Sequence, residues 1–167
     1  MPEEALPERH KLRRATVLDI EDIVGFLVGD ALDEQNNLHE FLPRDPETVK
    51  TTFWNLLGPS EEGIVWLSTY TDKANHDTIT GILALRLEGV WWSKHRMLVN
   101  IVFYVNPYYR SYNLANRLLN IGIEFARASG FPFVGSTFQY TDQVDLLERY
   151  FKRKGFEKLG SVLVYTK

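Results

Sequence analysis

Eleven consecutive residues, VNPYYRSYNLA over positions 105–115, hold the sequence's best arrangement for chemistry. An apolar strand runs into them and an amphipathic helix runs out. The first turn of such a helix exposes backbone N–H groups that have no partner within the helix, and the helix dipole adds partial positive charge. That combination favours an anion, above all a pyrophosphate. Arg110 adds a full positive charge at the same mouth. An ordinary strand-to-helix connection with a surface arginine would read the same way, so the turn needs support from its surroundings. The rival chemistries are thin. There is no cysteine, so no thiolate metal site, disulfide or cysteine nucleophile exists. His39 lies near Asp33, Glu34 and Glu40 but lacks a supporting ligand set, and no metal is expected.

The elements that must position the turn are legible on both sides. Residues 97–105, MLVNIVFYV, are nearly unbroken apolar sequence, the pattern of a strand buried on both faces. Pro107 ends that run because proline cannot donate to a ladder. Beyond the turn, Leu114, Leu118, Ile121 and Phe125 recur at helical spacing, with Ala115, Leu119, Gly122 and Ala126 as a smaller adjacent stripe. Such a helix sits close on a sheet, and Gly130 followed by Pro132 predicts its end.

Elsewhere the chain reads as one soluble domain. A hydrophobic content of 44% and a charged content of 25% are ordinary for a globular protein, and 167 residues suffice for a sizeable core. A net charge of −3 argues against general nucleic-acid binding. No apolar run has membrane-spanning length and no signal-peptide core is visible, so a cytoplasmic protein is expected. Residues 1–10 read as a flexible tail and 11–167 as a single domain. Residues 11–17 suggest a first strand, followed by a helix through Ile20, Ile23, Val24, Leu27 and Val28. A second helix starts at Pro46 and runs to about Leu57. Between them, residues 31–44 are a polar segment, either a recognition loop or a solvated connection. Strands are predicted at 64–70 and 79–87, forming an antiparallel meander with 97–105, and residues 89–96 are read as a connection. Trp91 and Trp92 in that connection suit a pocket wall, hairpin packing or an oligomer contact. A strand at 133–140, a helix with Val144, Leu147, Tyr150 and Phe151 on its apolar face, and closing strands at 156–159 and 162–165 complete the chain.

Val105, Pro107, Arg110, Asn113 and Ala115 together resemble the acyl-CoA motif V-x-P-x-x-R/Q-x-x-G-x-G/A of the GCN5-related N-acetyltransferase (GNAT) superfamily. Tyr150 to Phe156 similarly resembles that family's Y-x-x-x-G-F signature, and the element order fits over most of residues 11–167. FYVNPYYRS with LERYFKRKGFEKLGSVLVYTK is also similar to small members carried by phages and prophages. The resemblance implies an α/β (α+β) GNAT fold: a mixed, mostly antiparallel sheet of six to seven strands, flanked by about four helices, with splayed central strands. It implies that acetyl-CoA is the cosubstrate. Its pantetheine arm would pair with strand backbone at Phe103, Tyr104 and Val105, and its pyrophosphate would rest on Arg110, Ser111, Tyr112, Asn113, Leu114, Ala115 and Asn116. The implied reaction is direct transfer of an acetyl group to a primary amine of a small molecule or protein. A longer acyl group is a weaker alternative, and the expected state is a monomer or homodimer.

Three departures from the motif stand out. Asn113 replaces the first glycine. No Asp or Glu lies between Met97 and Tyr109 to serve as base; Asn100 and Ile101 occupy that region. Phe151 stands where the family's thiolate-protonating tyrosine is expected, which makes the adjacent Tyr150 the first substitute, ahead of Tyr165, Glu88 and His95. The departures allow a second reading, a phage-type protein that keeps the fold but acts by binding a host protein.

Overall fold

Nearly unbroken apolar runs in the central strands call for a sheet with both faces covered. In the computed structural model, which describes residues 9–31, 45–59, 62–135 and 144–158, this sheet has five strands. They are β1 (His10–Arg14), β2 (Gly63–Thr71), β3 (Asp77–Val90), β4 (Ser93–Val105) and β5 (Phe133–Val134), hydrogen-bonded in that order. The first four are antiparallel, and β5 joins β4 in parallel. The α-helices are α1 (Ile20–Phe26), α2 (Pro46–Leu57), α3 (Leu114–Ser129) and α4 (Val144–Arg153). Two 3-10 turns, Val17–Asp19 and Pro107–Tyr112, and a π turn, Leu27–Ala31, bring the helical elements above the four expected.

β3 shows why the sheet needs helices on both sides. Its Ile82 and Ala84 pack in one core with Ile20 and Ile23 of α1 and Phe53 and Leu56 of α2. Its Leu83 and Leu85 point the other way, into a core with Leu114, Leu118 and Leu119 of α3 and Phe151 of α4. Successive side chains on a strand face opposite sides, so one apolar run serves both layers. Gly122 lets α3 approach: a Cβ there would lie 2.8 Å from Leu83 Cδ2 and 3.2 Å from Phe133 Cε1. Gly130 then ends α3 with a left-handed φ of 73°.

Several expectations are corrected. β1 starts at His10, inside the expected tail, and stops at Arg14 rather than at 17. The Asp19 carboxylate stops it: it accepts from the Thr16 backbone N–H at 2.8 Å and from Arg13 at 2.9 and 2.5 Å, folding 17–19 into a turn. The connection expected over 89–96 shrinks to Trp91 and Trp92, because β3 and β4 pair out to Val90 and Ser93 as a tight hairpin. The parallel pairing of β5 covers only Leu98 with Phe133 and Val99 with Val134. Residues 156–158 form no strand, since Phe156 turns in to pack against Phe133 and Phe151. The sheet therefore has five strands among the described residues, against the six to seven expected. The remainder of the 133–140 strand, the 162–165 strand and the 32–44 segment with His39 lie outside the described residues.

Candidate functional site

The site is built at the end of β4, which runs on to Val105. Among the described residues, β5 pairs with β4 at Leu98 and Val99. A β-bulge bends the strand before its end: Ala84 pairs with Val102 and Leu85 with Asn100, leaving Ile101 as the extra residue. Bulges bend and twist the strand that carries them. As a result Ile101 and Val102, though consecutive, pack against the same core. Asn100 is buried at 1% exposure, so the strand centre presents an amide where a carboxylate base was sought.

At the end of β4 the chain turns by local hydrogen bonding. Asn106 Oδ1 accepts from the Tyr108 N–H at 3.0 Å, and Pro107 fixes the first turn position. The Asn106 N–H donates to Thr80 O at 2.9 Å, tying the turn to β3. Arg110 Nε donates to Val105 O at 3.0 Å, which places the guanidinium at the strand end. Asn113 then takes a left-handed conformation, φ 58° and ψ 20°, as the N-cap of α3. Asparagine enters this region more readily than most non-glycine residues, which explains its tolerance at a glycine position. The first i to i−4 bond of the helix runs from Arg117 N to Asn113 O at 3.2 Å. The amides of Leu114, Ala115 and Asn116 precede it, so the helix itself supplies them no acceptor.

The structure thus brings the sequence-predicted set together at one end of the sheet. Phe103, Tyr104 and Val105 are buried at the end of β4, where they pair with Leu83, Ile82 and Gly81 of β3. Arg110, Ser111, Tyr112 and Asn113 are exposed on the turn, and Leu114, Ala115 and Asn116 form the first turn of α3. Tyr150 reaches this end from α4: its hydroxyl donates to Asn116 Oδ1 at 2.8 Å, and its ring stacks on Phe103 with centroids 6.4 Å apart and planes 11° apart. Burial pushes its pKa up to about 12, so the hydroxyl keeps its proton. Phe151, by contrast, is buried at 4% exposure among Phe103, Phe156 and Gly135.

Glu88 and His95 fall far from this end. Glu88 pairs with Met97 on the ladder, six residues from Phe103, or about 20 Å at the rise of a strand. It also accepts from Arg86 Nε at 2.7 Å. His95 is ten residues from Val105, about 33 Å. Tyr165 lies outside the described residues. Trp91 and Trp92 cap the opposite end of the hairpin at 93% and 70% exposure, packed edge to face on each other at 5.4 Å rather than lining the site. Among the described residues no group of His, Cys, Asp or Glu could hold a metal ion, and no helix is long and apolar enough to cross a membrane.

One supporting cluster escaped the sequence. His10 of β1, at 5% exposure, is enclosed by the rings of Tyr70, Tyr109 and Tyr112 at 5.1, 5.7 and 4.4 Å. It props the turn against the sheet edge. Its signal was a single polar residue inside a polar leader, which periodicity does not register. Its Nδ1 has no hydrogen-bond partner among the described residues. Burial lowers its pKa below the ordinary 6.5. The folded state therefore holds the neutral ring, and the stability this gives is present above pH 6.5 and lost as pH falls through the depressed value. Thermal midpoints from pH 7 down to about 5 should fall more steeply for the wild type than for His10→Phe. Parallel slopes would remove His10 from the acid response.

No protein-family model and no curated protein matches the chain. Solved structures do match. A predicted acetyltransferase from Clostridium acetobutylicum, solved with acetyl-CoA, superposes with a TM-score of 0.67 at 16% identity, covering 94% of this chain and 96% of that one. A possible acetyltransferase from Clostridium difficile 630 gives 0.65 at 17% identity, with 96% and 99% covered. AAC(6')-Iy in complex with the bisubstrate analog CoA-S-monomethyl-acetylneamine gives 0.65 at 12% identity, again with 96% and 99% covered. Likeness at such identities is one of fold, and the fold is that of acetyltransferases.

Proposed function

We propose that the protein is an N-acetyltransferase that moves the acetyl group of acetyl-CoA to a primary amine of a small molecule or protein. The observation that carries this reading is convergence. The end of β4 at 103–105, the amides of the first turn of α3 and the Arg110 guanidinium meet at one end of the sheet. An extended amide-bearing arm ending in a pyrophosphate matches those parts in order. The arm pairs with strand backbone at Phe103, Tyr104 and Val105, and the phosphates accept from amides over 110–116. The acetyl-CoA in the Clostridium acetobutylicum structure supports the same cosubstrate here.

The chemistry asks little of side chains. The neutral amine nitrogen attacks the thioester carbonyl carbon, the C–S bond breaks, and the electron pair leaves on sulfur. The amine's surplus proton passes to water, and the thiolate takes one from water or remains ionised, its ordinary pKa being near 8.5. Binding both reactants side by side supplies most of the acceleration, and a backbone N–H of β4 polarises the carbonyl. With no carboxylate between Met97 and Tyr109, positioned base catalysis worth ~10²–10⁴-fold is forgone, and a modest rate is expected.

A second reading has its own support. Trp91 and Trp92 stand almost fully in solvent at a hairpin tip, and large exposed aromatics mark interaction sites. On that reading the fold serves a phage-type protein that binds a host partner and needs little or no CoA. Calorimetry with CoA and acetyl-CoA separates the two. Micromolar binding supports the enzyme and justifies an amine screen by thiol release. Absence of binding at millimolar ligand rejects it and leaves the binding protein.

A further inference from the structure

The residue standing at the motif's glycine position is held by side chains that no motif specifies. Asn116 Nδ2 donates to Asn113 Oδ1 at 2.5 Å, and Asn116 Oδ1 accepts from the Tyr150 hydroxyl at 2.8 Å. One helical turn further along both helices, Lys154 Nζ donates to Asn120 Oδ1 at 3.0 Å. Two cross-links with the same four-residue step therefore dock α4 and the residues just after it on the start of α3. The Tyr150–Phe103 stack fixes the tyrosine against β4.

We propose that Tyr150, acting through Asn116, is a positioning residue that orients the Asn113 side-chain amide so that its Nδ2 serves as a donor to a pyrophosphate-class anion at the start of α3. This rests on the CoA reading above. A carboxamide has one acceptor end and one donor end. With Oδ1 committed to Asn116, the capacity left to Asn113 is its two N–H groups. Its left-handed backbone puts it at the head of the helix, where an anion would sit. In a glycine turn only backbone amides face the phosphates. Here the added side chain would crowd them, and turned the other way it would set a carbonyl oxygen against them. The relay disfavours that flip. With Asn116 reversed, its Nδ2 would still meet the Tyr150 hydroxyl oxygen, but the tyrosine proton would lose its acceptor on Asn116 Oδ1. The sulfur-protonating part earlier sought from Tyr150 would need that same proton.

The test is a double-mutant cycle read by calorimetric CoA binding, with wild type, Tyr150→Phe, Asn113→Gly and the double variant. Tyr150→Phe should weaken CoA binding about five- to tenfold, the worth of one hydrogen bond. Asn113→Gly should weaken binding by a comparable factor, since glycine adopts the left-handed backbone freely but loses the donor. In the Asn113→Gly background, Tyr150→Phe should cost nothing further. Asn113→Asp keeps the acceptor for Asn116 but turns the remaining end into a carboxylate oxygen. It should lose roughly thirtyfold or more in affinity with little change in thermal midpoint. An equal loss from Tyr150→Phe in both backgrounds, no loss from it alone, or full affinity in Asn113→Asp would overturn the relay while the CoA site stands. A wild type that does not bind CoA at millimolar concentration removes the CoA reading and the relay with it.

Discussion

Arg110→Glu should weaken CoA binding by about two orders of magnitude while the protein stays folded. The wild-type guanidinium is held at the strand end by its Nε bond to Val105 O, beside the amides that open α3. A hydrogen bond to a charged group contributes about 1.5–3 kcal/mol, and 1.4 kcal/mol is a factor of ten in affinity. Replacement by glutamate removes that contribution and adds repulsion between like charges, so a loss of about 10²-fold is a conservative expectation. Arg110 is an exposed turn residue, and losing its bond to Val105 O should cost about 1 kcal/mol of stability. Calorimetry at two salt concentrations checks this. The gap between wild type and variant should narrow as ionic strength rises, because exposed charges are screened. Equal affinities at low salt would exclude Arg110 from the phosphate site.

The second large effect belongs to the support beneath the site. Leu118 is fully buried where α3 crosses the sheet, in the core that also holds Leu83, Leu85, Phe103 and Val105. Leu118→Ala should destabilise the protein by about 2–5 kcal/mol, the transfer loss plus the cavity. For a chain of this length that corresponds to a fall in thermal midpoint of roughly 4–20 °C. Urea unfolding should show a lower midpoint with an unchanged slope. Leu118→Met, which conserves volume, should cost less than about 1.5 kcal/mol. The core beneath α3 includes Phe103 and Val105 at the end of β4, so Leu118→Ala should also weaken CoA binding at temperatures where it is fully folded. A midpoint shift without any loss of affinity would show that the helix start is held from the turn side alone, by Asn106, Arg110 and the Tyr150 relay.

Much of this was legible in the chain. The apolar run over 97–105, the proline at 107, the 3.6-residue stripe through Leu118 and the glycine at 130 each carry a local rule; α3 ends at Gly130 as expected, and the strand ends at Val105 but begins four residues earlier, at Ser93. The side-chain types of the turn, Asn-Pro followed by arginine and asparagine, likewise marked it as a candidate anion site. What the sequence could not register were relations between residues far apart. Nothing in the spelling of β4 locates the bulge at Ile101, since a bulge is defined by the partner strand's register. His10 looked like part of a loose polar leader because its burial comes from three tyrosines that lie 60 to 102 residues away, at 70, 109 and 112. The tie from Tyr150 to Asn116 joins positions 34 residues apart through helix docking.

The sequence by itself determined the order and type of the elements from β1 to α4, and the placing of Arg110 and Asn113 at the join of strand and helix, because propensity, periodicity and turn chemistry act over a few residues. Only the tertiary structure decided that Ile101 stands as a bulge in β4, that Phe151 belongs to the core while Tyr150 faces Asn116, and that Trp91 and Trp92 stand in solvent. Those outcomes depend on which surfaces are covered once all elements have packed, and burial is a property of the assembled chain rather than of any segment.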